Sequence, residues 1–120
     1  MKLTVLGPGC WGLTIAKLLN NNFDEICVWG REQDLTPMLV NEKRIEKPLE
    51  ISLDKKVEIT SDLAFALNGA EIILLVVATS GIRNVCEQIK KIGLKDNQIL
   101  VNLSKGIELP SLKRMSEVIE

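Results

Sequence analysis

Three glycines near the start, in the string Gly7-Pro8-Gly9-Cys10-Trp11-Gly12, restrict this chain more than any other feature. The residues before them, 2–6, read as a short β-rich strand. Those after them, from 11 to about 20, place Trp11, Ile15, Leu18 and Leu19 at helical spacing, with Leu13 and Ala16 beside them. Gly-x-Gly-x-x-Gly alone is a weak signal, but between a strand and a helix it stands in the context that a phosphate-cradling turn requires. Gly7 permits the tight turn, Gly9 lets a ligand's pyrophosphate approach the backbone, and Gly12 lets the helix pack close to the strand. The helix then aims unpaired N–H groups and its positive dipole end at the phosphates. A glycine-rich turn that binds nothing is the bland alternative, at an entropic cost with no return. A P-loop is excluded: Gly7 and Gly12 have its spacing, but Leu13 stands where its lysine must be.

The rest of the chain alternates between strands and helices. Asn20, Asn21 and Asn22 stop the first helix, and residues 25–29 form a second strand. A weaker helix is expected over about 33–41. Residues 42–56 are charged, contain Pro48 and show no period, so they read as an irregular connection. A third strand is expected at 57–60. A brief helix at 61–67 is capped by Ser61 or Asp62 and ended by Asn68-Gly69. The continuous apolar run 72–77 suits a strand covered on both faces by helices. Ile82, Val85, Cys86, Ile89 and Ile92 form an amphipathic stripe closed by Gly93. A fifth strand at 98–103, a loop at 104–110 and a helix start at 111–120 complete the order. The fold class is α/β, a doubly wound and mainly parallel Rossmann-type sheet, in a single dinucleotide-binding domain spanning 1–120.

Composition narrows the chemistry. There is no histidine and no tyrosine among the 120 residues. That excludes Ser-His-Asp and Cys-His nucleophile systems, histidine metal sites and the tyrosine-lysine pair of short-chain dehydrogenases. Any acid or base here is a lysine, a carboxylate or a cysteine. Cys10, Cys27 and Cys86 have neither disulfide nor metal-ligand spacing, which fits a reducing cytoplasm. The net charge of −1 gives no reason to expect nucleic acid as a partner. No apolar run reaches the length of an integral membrane segment. The first residues run straight into a strand, unlike a signal peptide.

The end of the second strand bears on which dinucleotide binds. A carboxylate there suits the ribose hydroxyls of NAD, whereas an arginine suits the 2′-phosphate of NADP. The string Trp29-Gly30-Arg31-Glu32 has no acid at the tip and Arg31 just beyond it. Arg31 can fork onto a phosphate, or be a solvated surface residue paired with Glu32. NADP is favoured over NAD, with both retained.

Four strings in order resemble the amino-terminal domain of bacterial-type NAD(P)-dependent glycerol-3-phosphate dehydrogenase. They are 5–12, Val28-Trp29-Gly30-Arg31, Ser61-Asp62-Leu63-Ala64-Phe65-Ala66-Leu67 and Ser104-Lys105-Gly106-Ile107-Glu108. The resemblance implies reversible reduction of dihydroxyacetone phosphate to sn-glycerol 3-phosphate for phospholipid synthesis. It implies contacts to the cofactor from Cys10, Trp11 and Arg31, and places Lys105 near both nicotinamide and substrate. Lys105 also follows the fifth strand at the carboxyl edge, where open α/β sheets bind ligands, and an ammonium there holds a phosphate or polarises a carbonyl. Trp11 can instead pack on the preceding loop, and Lys105 can be a solvated loop lysine. Cys10 stands where many relatives carry serine, which weakens any side-chain hydrogen bond; redox reactivity at the helix N-terminus is the lesser reading.

Two departures stand out. Relatives often read Val-Pro-Ser where this chain reads Val77-Ala78-Thr79-Ser80, although Arg83 keeps a basic residue in the next helix. The family also continues into a helical second domain bearing most of the substrate pocket and its acid/base lysine, so the domain is expected to be incomplete at its carboxyl end and inactive alone. A homodimer is left open. Other readings are a different β-hydroxyacid-type dehydrogenase, a non-catalytic NAD-sensing module, and an unligated scaffold pairing through its sheet edge.

Overall fold

The computed structural model describes residues 1–47, 50–77 and 81–103. Five strands form one parallel sheet: β1 (Lys2–Leu6), β2 (Glu25–Trp29), β5 (Val57–Thr60), β6 (Ile72–Leu75) and β7 (Ile99–Asn102), in the order β5-β2-β1-β6-β7. Each of its four pairings is parallel; in register, Leu6 lies opposite Trp29 on one side and Leu75 on the other. The chain runs outward from β1 in one direction and then crosses to β6. That reversal defines a switch point between β1 and β6, at the carboxyl ends of the strands. The expected doubly wound, Rossmann-type architecture is the one observed.

Strand alternation divides the core between the two faces of the sheet. Leu3, Val5, Ile26, Val28 and Leu74 face one way and pack with Leu13, Ile15 and Ala16 of α1 (Cys10–Leu18) and Leu39 of α2 (Pro37–Glu42). Leu6, Cys27, Trp29, Ile73 and Leu75 face the other way. They meet Leu63, Ala66 and Leu67 of α3 (Leu63–Leu67) and Ile82, Val85 and Ile89 of α4 (Ile82–Ile92). Each leucine, isoleucine or valine among them taken fully from water contributes about 1.5–3 kcal/mol of transfer free energy. Thr4 is the buried polar exception on the second face, and its hydroxyl donates to the Ala66 carbonyl at 2.5 Å.

Three local expectations need correction. The helix anticipated over 33–41 is a 3-10 turn, Glu32–Asp34, followed by the separate helix α2. Thr36 precedes Pro37, and a residue before proline is driven out of helical geometry; its φ of −74° and ψ of 155° are extended. Its hydroxyl caps the new helix by accepting from the Leu39 amide at 3.2 Å. The connection at 42–56 is not wholly irregular. It holds two short antiparallel strands, β3 (Arg44–Ile45) and β4 (Ile51–Ser52), too brief for any period to register. Ile51 is buried against the α1 side of the core, which gives the pair a hydrophobic reason to exist.

The third correction concerns α1. Trp11 and Leu18, expected in its apolar stripe, are 57% and 72% exposed. The buried face is Gly12, Leu13, Ile15 and Ala16, in which small residues one turn apart let the helix lie close on the sheet. In α4, Ile82, Val85 and Ile89 are buried as expected and Gly93 ends the helix at φ +86°, while Ile92 is exposed. The loop and helix start anticipated over 104–120 lie outside the described residues.

Candidate functional site

The first turn of the chain is shaped by what each glycine must avoid. Gly7 has φ +138°, a conformation that side chains rarely adopt, and a Cβ there would collide with the Val76 carbonyl on β6's exit. Its amide donates to the Trp29 carbonyl at 2.9 Å, tying the turn to the end of β2. Gly12 is tight for another reason: a Cβ there would run into the Gly7 carbonyl and lie 3.3 Å from Val5. Gly9 differs from both, with nothing within 4 Å of its Cβ position. Its extended backbone (φ −71°, ψ 172°) begins α1, with neither a side-chain cap nor an acidic residue in the first turn. Helix geometry leaves the first-turn amides without intrahelical partners, so that end of α1 presents donors and positive potential unmet by its own side chains.

This turn forms one wall of a cleft of about 700 Å³ at the carboxyl ends of β1, β2 and β6. The second wall is the exit of β2, Trp29, Gly30 and Arg31, with Gln33 and Asp34 from the 3-10 turn. The third is Val76 and Val77 after β6, with Asn84 and Val85 of α4. Gly30 is constrained too, since a Cβ there would lie 2.5 Å from the Pro8 ring and 2.9 Å from Leu35. The Trp29 indole N–H donates to the Ser61 carbonyl at 3.0 Å, so its ring is fixed as part of the cleft's edge.

Of the sequence-derived site residues, Gly7, Gly9 and Arg31 are thus brought together on the cleft. Cys10, Trp11 and Gly12 follow on the first turn of α1 but are not on its wall. Cys10 is half-buried against the α1 side of the core, and its carbonyl accepts from the Thr14 hydroxyl at 2.7 Å. Trp11, at the helix start, is 57% exposed. Lys105 and the Ala78-Thr79-Ser80 departure lie outside the described residues.

Arg31 has an unexpected partner. Its Nε donates to one Asp34 oxygen at 2.8 Å and a terminal nitrogen donates to the other at 3.2 Å, a bidentate fork. The two side chains are 58% and 35% exposed. Glu32, the partner suggested by adjacency, is not the one used. The strand tip carries no acid, yet the 3-10 turn returns one to it from Asp34. Among the described residues, Arg31 and Asp34 are the charged side chains on the cleft wall. The sequence held a signal for this pair, since residues three apart in a helical turn are neighbours.

A dinucleotide fits these residues. The open side of Gly9 is a cradle that a side chain would enter, the helix end supplies donors, and Val76, Val77 and Val85 make the far wall largely apolar beside Asn84. The model of the family described as NAD-dependent glycerol-3-phosphate dehydrogenase N-terminus matches residues 2–120. The chain belongs to this family. It is 39% identical over 120 residues to a glycerol-3-phosphate dehydrogenase [NAD(P)+] of Thermoanaerobacter sp. (strain X514), covering 100% of this chain and 36% of that protein. It is 38% identical to the enzyme of that name from Enterococcus faecalis (strain ATCC 700802 / V583), covering 98% of this chain and 35% of the relative. In fold it is similar to the crystal structure of glycerol-3-phosphate dehydrogenase from Coxiella burnetii, with a TM-score of 0.81 at 21% identity, over 98% of this chain and 36% of that one. The chain therefore spans about a third of the length of the curated relatives it matches. Among the described residues, no helix is long and apolar enough to cross a membrane.

Proposed function

We propose that residues 1–120 are the cofactor-binding domain of an NAD(P)-dependent glycerol-3-phosphate dehydrogenase. The reaction is the reversible reduction of dihydroxyacetone phosphate to sn-glycerol 3-phosphate, which feeds phospholipid synthesis in the cytoplasm. The observation that carries this reading is the cleft itself, where an open Gly9 and an uncapped helix end face the exit of β2. Gly7 and Gly12 hold the turn's shape, Gly9 admits the pyrophosphate, and Arg31 takes the 2′-phosphate, which makes NADP the preferred cofactor and NAD the alternative. Cys10 and Trp11 contact the dinucleotide from the first turn of α1. When bound, the nicotinamide supplies the hydrogen and electron pair that reduce the carbonyl.

Lys105 is assigned to the reacting end. It follows β7 by three residues in the sequence, and open α/β sheets bind ligands at the carboxyl ends of their strands. Its ammonium holds the substrate's phosphate or stabilises charge developing on the carbonyl oxygen. The family's helical second domain, which pairs with this one in forming the substrate pocket, supplies the acid/base lysine; the 120-residue chain alone turns over little or no substrate. The test is NADPH oxidation driven by dihydroxyacetone phosphate in the two-domain enzyme. Lys105→Ala is expected to cut turnover severely and leave NADPH affinity nearly unchanged. Near-normal turnover removes Lys105 from the site.

A further inference from the structure

We propose that Asp34 is a specificity-determining residue that competes with the cofactor's 2′-phosphate for the guanidinium of Arg31. The inference rests on the reading of Arg31 as the 2′-phosphate's partner and adds an opponent to it.

The argument starts from the fork. Arginine recognises a phosphate best when two parallel N–H donors face it. Here Nε and one terminal nitrogen already serve the two oxygens of Asp34, at 2.8 and 3.2 Å. Both residues line the cleft beside the exit of β2, where the adenosine ribose of a dinucleotide lies in this fold. A ribose with a free 2′-hydroxyl meets a neutralised pair and can donate to the carboxylate. A ribose with a 2′-phosphate brings a second anion to a cation that is already matched. It must share the guanidinium or displace Asp34 from it, against the repulsion of a carboxylate in the same cleft. The pair is exposed enough to be weak in itself, so it yields to the phosphate rather than barring it. Asp34 narrows the preference for NADPH and keeps NADH usable, so one site accepts both cofactors.

The backbone permits the exchange. Asp34 sits in a three-residue 3-10 turn in which its backbone amide donates to the Arg31 carbonyl at 2.8 Å, a bond that does not use the carboxylate and that Asn can keep. Asn at this position keeps the size and removes the charge.

The experiment is equilibrium titration of the full chain with NADPH and with NADH, read by intrinsic tryptophan fluorescence and by calorimetry. Four proteins are compared: the natural sequence, Asp34→Asn, Arg31→Ala and Glu32→Gln. The last removes a neighbouring exposed carboxylate that is not on the cleft wall. Asp34→Asn is expected to raise the ratio of NADPH to NADH affinity by about fivefold to tenfold, the scale of one repulsive carboxylate at close range in a wet cleft. High salt shrinks the gain. Arg31→Ala is expected to lower the ratio, and Glu32→Gln to change it less than about twofold, since an exposed charge off the wall is screened. An unchanged or lowered ratio in Asp34→Asn, with Arg31→Ala still lowering it, overturns the competition and leaves the Arg31 reading standing. A rise in Glu32→Gln equal to that in Asp34→Asn also overturns it, as a general charge effect. An unchanged ratio in Arg31→Ala overturns the Arg31 reading and this inference with it.

Discussion

Gly9 and Gly12 lie within one turn of each other, yet a methyl group added to each meets opposite surroundings. At Gly12 it meets the Gly7 carbonyl and Val5; at Gly9 it meets open space in the cleft. Gly12→Ala therefore forces α1 off β1 and is expected to cost about 1–3 kcal/mol, the usual scale of overpacking. Thermal or urea unfolding checks this, and an unchanged midpoint would show that the turn is looser than described. Cys27 gives a second residue-scale prediction. Burial pushes its thiol from the ordinary 9.0 up to about 11. The folded chain thus keeps a proton that the unfolded chain loses, so this contribution is full below about pH 9 and fades as pH rises toward 11. Replacing Cys27 by Ala should flatten the fall of unfolding free energy across that window; an equally steep fall in the variant would contradict the burial argument. At this scale the three glycines were legible in sequence because their spacing encodes a backbone. Asp34 was legible only as a residue three along from Arg31; the 3-10 turn that brings it back to the strand tip was not.

Short elements here are decided by their ends. α3 has only five residues, and its start is fixed by Asp62, whose carboxylate accepts from the Phe65 amide at 3.2 Å. Asp62→Ala should lower stability by about 1 kcal/mol. Urea denaturation measures it, and no shift in the midpoint would mean that packing of Leu63, Ala66 and Leu67 alone sets the helix. The same logic explains which elements the sequence revealed. Strands β1, β2 and β6 are dense in apolar residues, and α4 has an unbroken stripe, so their positions follow from periodicity. The helix expected over about 33–41 is split because Pro37 forces Thr36 to be extended and starts a new helix. β3 and β4, two residues each, carry no period at all. In α1 the exposed Trp11 and Leu18 imitate a buried stripe, because spacing shows that residues share a face but not which face meets the sheet.

Across the molecule, the two apolar clusters hold the sheet from both sides and leave the carboxyl ends of its central strands to form the cleft. That arrangement was legible in outline: alternating strands and helices after a glycine turn leave few topologies, and the switch point follows from the strand order. The part of the far wall made by Val76, Val77 and Val85 was not legible as a site, since apolar residues after a core strand look like more core. The central claim is that this cleft holds a nicotinamide dinucleotide against the open side of Gly9. Calorimetric titration of the chain and its Gly9→Val variant with NADPH and NADH tests it most directly. The account predicts saturable one-to-one binding by the natural sequence, lost in Gly9→Val while the ligand-free variant still melts as a folded protein, with at most the small loss that Val costs at a helix N-cap. Binding of neither cofactor, or equal affinity in the variant, would contradict it.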